Sequence, residues 1–168
     1  MTRTARVLMA VVFAMLFSSS AVSAQWETGK WFAGPHIGLS GVGSAISFGG
    51  AVEKGYNKNI GIGALVDYWS YGDFGADVTY FSLAALGSYH FPLTDTKLDP
   101  FLGLGLGYYV VSWDDNGICD GAGIDCDANR LFFAGQAGIR YFFKPTLAGV
   151  ARVGTGAGYL SAGVEWKF

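Results

Sequence analysis

The residues best suited to chemistry in this chain are a few charged and polar side chains that recur at alternate positions of apolar segments. They are His36, Glu53, Asp67, His90, Gln136, Arg140, Arg152, Glu165 and Lys167. Buried charges are tolerated when they are paired and hydrogen-bonded. The pattern therefore predicts an internal network of salt bridges made of Glu53, Asp67, Arg140, Arg152, Glu165 and Lys167. The same residues would also suit the lining of a polar conduction path, and this alternative stays open.

Cys119 and Cys126 are the only two cysteines, and they lie close together in a segment rich in Asp and Gly. An oxidising compartment would join them in a disulfide. A zinc site would need two further ligands, and no His lies nearby. The pair therefore predicts a disulfide across a short loop.

The Asp residues around these cysteines resemble the beginning of a calcium-binding loop. Asp125, Asp127 and Asn129 have the required alternate spacing, but Arg130 and Gln136 stand where such a loop needs Gly and Glu. We therefore predict no metal site. Weak binding of a divalent cation remains open for the cluster of Asp114, Asp115, Asp120, Asp125 and Asp127.

The first 24 residues have the order of a secretory signal peptide. Arg3 and Arg6 precede an apolar run that ends at Phe17, and small residues follow up to Ala24. The run is too short for a membrane anchor, which needs about 20 residues. We expect cleavage after Ala24, and a single exported domain over residues 25–168.

The composition is more typical of a membrane protein than of a soluble one. Charged residues make up 14% of the sequence, against roughly 25% in soluble domains, whereas Gly (26 residues) and aromatic residues are abundant. No apolar stretch after residue 24 has the length of a spanning helix. Only helices and closed barrels satisfy every backbone polar group in lipid, so a barrel is expected. The formal net charge is -2, and no cluster of Arg and Lys lies among the aromatic residues, so we exclude nucleic acid as a partner.

Eight segments alternate apolar residues with small or polar ones, and turn residues separate them. The predicted strands span residues 31–40, 45–54, 59–69, 77–91, 100–113, 130–143, 146–154 and 158–168. If the apolar face pointed inward, the outer face would consist mostly of glycine with few charges. A protein with such a surface would dissolve poorly in water. An apolar face toward lipid leaves glycine and charges in a narrow interior. We therefore predict an all-β fold, a transmembrane up-and-down antiparallel barrel of eight strands.

The two ends of the predicted barrel differ in charge. The lysines after the signal peptide lie at or near the end that carries both chain termini: Lys30, Lys54, Lys58, Lys97, Lys144 and Lys167. Seven aspartates lie at the opposite end: Asp73, Asp77, Asp114, Asp115, Asp120, Asp125 and Asp127. Outer-membrane barrels have short periplasmic turns and longer external loops. The longest link, 114–129, belongs to the aspartate end, which we expect outside the cell.

The final strand ends in Phe168 after alternating aromatic and aliphatic residues, and it looks like the insertion signal of outer-membrane barrels. The segments 31–38, 100–108 and 138–143 resemble the OmpA-like, OmpX-like and opacity-protein group of small barrels. The resemblance covers nearly the whole mature chain. It implies contact with outer-membrane lipid and lipopolysaccharide. It also implies that the barrel assembly machinery recognises Leu160, Val164, Trp166 and Phe168.

Some barrels of this size modify lipid A with a Ser and a His in reach of the membrane. His36 and His90 are expected to face inward near the periplasmic side, and neither lies in the His-x-Ser-Asn pattern of the deacylase. We therefore expect no enzymatic activity, no catalytic residue and no cofactor. A Gly-x-Trp match to lipocalins at residues 29–31 is too short to favour a soluble carrier.

The predicted function is a structural or surface-interaction role, in adhesion or as a surface antigen, through acidic external loops. The segment 114–129 would contact any extracellular partner, and we expect the barrel to act as a monomer. A narrow, non-specific pore is the second hypothesis. A lipid A-modifying enzyme and a lipocalin-like carrier are less favoured.

Overall fold

The computed structural model describes residues 26–40, 45–73, 76–94, 97–114, 128–155 and 159–168. Its eight strands are β1 (Trp31–Leu39), β2 (Ile46–Gly55), β3 (Ile60–Asp73), β4 (Ala76–His90), β5 (Leu98–Asp114), β6 (Ala128–Lys144), β7 (Leu147–Gly154) and β8 (Leu160–Lys167). Each strand pairs with the next, and β8 pairs antiparallel with β1, so the sheet closes into an up-and-down barrel. The predicted fold class is confirmed. In the part of the chain described, no helix has the length and apolar character needed to cross a membrane.

The apolar face of the strands points outward, as predicted. Leu104 on β5 is 69% exposed and Phe133 on β6 is 87% exposed, whereas their inward neighbours Gly103 and Ala134 are buried. Successive side chains of a strand point to opposite faces of the sheet, so the alternation in the sequence sorts the residues between outside and lumen. The outer wall is therefore a band of large apolar side chains.

Strand β3 is longer than the sequence predicts. The expected strand ended at residue 69, yet the ladder continues through Asp73, which pairs with Ala76 at the start of β4. Tyr71 contributes to this extension, because its ring stacks on Tyr80 of β4 with the centroids 5.9 Å apart. The expected loop 70–76 is therefore mostly strand. Cross-strand aromatic pairing outweighs the turn propensity of Ser, Gly and Asp here.

Strand β5 also begins earlier than predicted, at Leu98 instead of residue 100. Asp99 thereby has the same inward direction as Phe101 and Gly103, and it lies directly opposite Arg140 of β6. Because the sequence suggested a turn at this position, the inward direction of the Asp99 carboxylate was not predicted. The earlier start of β5 brings this carboxylate to Arg140.

Aromatic rings fill the narrow lumen where glycines leave room for them. A Cβ atom on Gly107 would overlap the ring of Phe132, and one on Gly138 would overlap the ring of Phe101. Any larger residue at either position would force the ring or the strand to move. These two glycines are thus required by close packing and not by backbone conformation.

Two apolar clusters lie inside the barrel. One consists of Ala51, Leu65, Ala84, Leu86 and Ala134, with Phe132 packed against it. The other consists of Phe32, Phe142 and Ala148, with Trp26 packed against it. The sequence analysis placed glycine and charges in the lumen, so these apolar layers are an addition to the predicted interior.

Candidate functional site

Arg140 of β6 is almost fully buried, at 1% exposed, and lies among three carboxylates. Its Nε donates to Glu165 at 2.5 Å, its Nη1 to Asp99 at 2.9 Å, and its Nη2 to Glu53 at 2.5 Å. These acceptors belong to β8, β5 and β2. One guanidinium group therefore ties together four strands around the barrel, and we call these four residues the Arg140 cluster.

Aromatic rings surround the guanidinium of Arg140. Its central carbon lies 4.9 Å from the ring centroids of both Phe32 and Phe101, and 5.7 Å from that of Trp26. Cation–π attraction is stronger where water is excluded. The rings thus stabilise the cation and also shield its salt bridges from solvent.

His90 of β4 connects two acids of the Arg140 cluster. A hydrogen bond joins its Nδ1 to Asp99 at 2.8 Å, and another joins its Nε2 to Glu53 at 3.3 Å. The indole of Trp26 stacks on the imidazole with the ring centroids 3.6 Å apart. Trp26 precedes β1 and donates from its Nε1 to the backbone oxygen of Asn57. The segment before the first strand therefore covers the cluster on its side of the barrel.

Arg152 of β7 is the second buried guanidinium. Its Nη2 donates to Glu165, which is thus shared with Arg140. Among the described residues, the Nε and Nη1 of Arg152 have no hydrogen-bond partner, and the same is true of Gln136 Oε1. A cavity of about 10 Å³ lies beside Arg152 and Gln136, which is close to the smallest space that holds one water molecule.

The remaining buried charges form two separate pairs. His36 Nε2 lies 2.8 Å from Asp67 Oδ1, and Lys167 Nζ donates to Glu27 at 2.6 Å. The lumen holds the carboxylates of Glu53, Asp67, Asp99 and Glu165 against the two guanidinium groups.

The structure places the six predicted network residues in three groups. Glu53, Arg140, Arg152 and Glu165 meet, Asp67 binds His36 and no arginine, and Lys167 binds Glu27. The sequence analysis missed Asp99, Trp26 and Glu27. The alternation of β5, continued two positions backward from Phe101, would have pointed Asp99 inward. Trp26 and Glu27 precede the first strand, where no periodicity marks them.

The predicted assembly signal lies along the outer face of β8. Leu160, Val164, Trp166 and Phe168 are all exposed. The backbone nitrogen and oxygen of Phe168 pair with those of Trp31 on β1 at 3.0 and 2.9 Å. The same residues thus face lipid and close the barrel.

The predicted disulfide and the aspartate cluster lie mainly outside the described residues. Cys119, Cys126, Asp115, Asp120, Asp125 and Asp127 all belong to the range 115–127, and the predicted signal peptide also precedes the described chain. No group of three His, Cys, Asp or Glu side chains that could hold a metal ion occurs in the described ranges. The interior network is therefore the best defined candidate site, and its paired charges suit it for rigid closure of the lumen.

No protein-family model matches the sequence, and no curated protein is significantly similar to it. Solved structures are similar in fold. The outer membrane protein OprG from Pseudomonas aeruginosa matches with a TM-score of 0.61 at 12% identity, covering 88% of this chain and 99% of that one. The N-terminal β-barrel domain of Pseudomonas aeruginosa OprF matches with 0.59 at 16%, covering 84% and 98%.

The attachment invasion locus protein Ail of Yersinia pestis, in complex with the heparin analogue sucrose octasulfate, matches with a TM-score of 0.52 at 12% identity. The match covers 84% of this chain and all of that one. The three structures match this chain over almost their whole length, although few of the aligned residues are identical. The chain therefore has the fold of the small eight-stranded outer-membrane β-barrels.

Proposed function

We propose that this protein is a closed, non-catalytic barrel of the outer membrane that presents acidic loops to an extracellular partner. The observation that carries the proposal is the filled lumen, in which Arg140 lies buried among Glu53, Asp99 and Glu165. A lumen closed by these salt bridges leaves function to the surfaces at the two ends. An eight-stranded barrel has room inside for little more than its own side chains.

The orientation of the barrel supports external loops rich in aspartate. The links β2–β3 and β6–β7 are short and lie on the side of both chain termini, whereas the link from β5 to β6 is the longest. Short periplasmic turns and long external loops are typical of such barrels. We therefore assign the end with Asp73, Asp77 and the segment 114–129 to the exterior.

The charge of that end favours a cationic partner. By sequence it carries seven aspartates, and Arg130 is the base nearest to them. Ail has been solved with a heparin analogue, a sulfated and therefore anionic saccharide. An acidic surface would repel such a ligand. We propose that this barrel instead binds a basic protein or peptide surface.

Binding to immobilised polylysine and to immobilised heparin tests this proposal. The barrel in lipid nanodiscs should bind polylysine in a salt-dependent manner and should not bind heparin. The variant D115N/D120N/D125N/D127N should lose most of the binding, and Asp95→Asn, in the β4–β5 link at the opposite end, serves as the control. Heparin binding by the wild type, or full polylysine binding by the fourfold variant, would overturn the proposal.

The position of the histidines supports a non-catalytic barrel. His36 and His90 are buried, and both are hydrogen-bonded to carboxylates inside the lumen. Within the described ranges, the hydrogen bonds of both imidazoles go to carboxylates. A Ser–His pair that acts on lipid must be within reach of it. Lipid A of cells that overproduce the protein should therefore have an unchanged mass spectrum, and new or missing acyl chains would contradict the proposal.

One observation favours the narrow pore as a second candidate. Buried polar atoms without hydrogen-bond partners among the described residues occur on six strands, and they include His36 Nδ1, Ser47 Oγ, Asp67 Oδ2, Gln136 Oε1, Arg152 Nε and Ser161 Oγ. Such atoms suit a hydrated path through part of the lumen. Recordings in planar bilayers separate the two functions. The closed barrel predicts no channel steps, and reproducible steps at physiological salt would favour the pore.

A further inference from the structure

Four exposed lysines lie at the end that carries both chain termini, and we call them the lysine collar. They are Lys30, Lys54, Lys58 and Lys144. Lys30 precedes β1, Lys54 is the second-last residue of β2, Lys58 lies in the β2–β3 turn and Lys144 ends β6. The collar therefore extends over several neighbouring strands of the closed barrel.

The ammonium groups of the collar are not neutralised by the protein. Lys30, Lys54, Lys58 and Lys144 are exposed, and none of them forms an ion pair with a described residue. Near this rim, Glu53, Asp99 and Glu165 are buried and bind Arg140, and Glu27 already binds Lys167. The four ammonium groups of the collar thus form a band of positive charge at one level of the barrel.

Aromatic side chains mark this level as a membrane interface. Lys54 Nζ lies 5.1 Å from the ring centroid of Trp31, and both side chains point outward. Tyr89, Trp166 and Phe168 are exposed at the same end. Trp and Tyr collect where the hydrocarbon core meets the headgroups, and lysines extend from there to the phosphates. The collar is therefore positioned at headgroup phosphates.

We propose that the lysine collar binds anionic phospholipids of the leaflet around the chain termini and selects them over zwitterionic phospholipids. The proposal rests on the outer-membrane location proposed above, which makes this leaflet the periplasmic one. Unpaired ammonium groups complement a net negative headgroup, whereas a zwitterionic headgroup offers no net charge. The acidic opposite end gives no such attraction.

Quenching of Trp fluorescence by brominated lipids measures the selectivity, because Trp31 lies beside Lys54. The protein is refolded in phosphatidylcholine bilayers that contain brominated phosphatidylglycerol or brominated phosphatidylcholine. At low salt we expect phosphatidylglycerol to associate about fivefold or more strongly than phosphatidylcholine. In 0.5 M NaCl the ratio of phosphatidylglycerol to phosphatidylcholine association should fall toward one, because salt screens the charge attraction (the Debye length is already only about 10 Å at 0.1 M).

The variant K54Q/K58Q/K144Q should lose most of the preference, and Trp31→Phe should weaken the quenching signal, with the remainder arising from Trp166 at the same end. The matched control is Arg130→Gln, which removes an exposed charge at the opposite end and should leave the preference unchanged. Equal association of the two lipids with the wild type would overturn the inference. A preference that survives in K54Q/K58Q/K144Q and disappears in Arg130→Gln would overturn it as well, by placing the lipid at the other end.

Migration of heated and unheated samples on a gel separates the failure of this inference from that of the proposed function. A wild type that does not insert, and shows no heat-modifiable band, contradicts the proposed membrane barrel itself. An inserted wild type without lipid preference contradicts the collar alone. The salt dependence of the wild type tests the inference even if the triple variant fails to fold.

Discussion

Replacement of Arg140 by Met tests whether the Arg140 cluster stabilises the barrel. The side chain donates to three carboxylates that are almost fully buried, namely Glu53, Asp99 and Glu165. Hydrogen bonds to charged groups contribute about 1.5 to 3 kcal/mol each. The loss is smaller than their sum, because His90 still binds Glu53 and Asp99, and Arg152 still binds Glu165.

The expected loss in the free energy of unfolding is about 3 to 5 kcal/mol, the range found when one partner of a buried ion pair is removed. Methionine retains much of the volume between Phe32 and Phe101, so little of this loss arises from a cavity. Urea titration of the barrel in lipid vesicles, followed by Trp fluorescence, measures the free energy of unfolding. A double-mutant cycle with Glu165→Gln should give a coupling energy of about 0.5 to 3 kcal/mol.

Arg130→Met is the matched control, because Arg130 lies on the same strand but is exposed. It should leave the urea midpoint unchanged. A loss below about 1 kcal/mol for Arg140→Met would refute the structural role of the cluster, since that is no more than an average substitution costs. Equal losses for the two variants would point to a general effect of removing a cation.

Three further changes test other parts of the structure. Gly107→Ala should lower the free energy of unfolding by about 1 to 3 kcal/mol, because its Cβ would overlap the Phe132 ring. Gly87→Ala is the control and should leave the free energy of unfolding unchanged, because its Cβ would meet nothing within 4 Å. Equal effects of the two substitutions would contradict the packing argument. Phe168→Ala should slow assembly by the purified barrel assembly machinery, measured by the heat-modifiable band, whereas Phe133→Ala should not; an unchanged rate would count against an assembly signal at Phe168. Without reductant, iodoacetamide should add no mass to Cys119 and Cys126 in the purified protein, and two adducts would exclude the predicted disulfide.

The strand pattern could be predicted from the sequence because each strand has a lipid face and a lumen face. The lipid face is mostly apolar, and the lumen face is mostly small, paired or aromatic, so leucine and glycine alternate from Leu102 to Gly107 of β5. The eight strands and the outward apolar face follow from this alternation alone. Turn-forming residues concealed the true strand ends at Tyr71 and at Asp99, and there the predicted ends were wrong.

The contacts inside the lumen were less predictable than the residues that line it. The sequence shows that Asp67 points inward but not that its partner is His36, because register and barrel closure decide which inward side chains meet. Trp26 lies outside any strand, so only the folded structure brings it onto His90. The sequence therefore identifies which side chains line the lumen. The closure of the barrel decides which of these side chains form hydrogen-bonded pairs.

The seam between β1 and β8 has a consequence for the order of events in folding. Trp31 and Phe168 pair through their backbones although 136 positions separate them. Until the last strand is present, β1 has an unpaired edge that invites pairing with other chains. Contacts of such long sequence separation form slowly, because the entropy of closing a large loop opposes them. The chain must therefore be kept from aggregating until β8 pairs with β1, and loss of even one strand would leave two open edges.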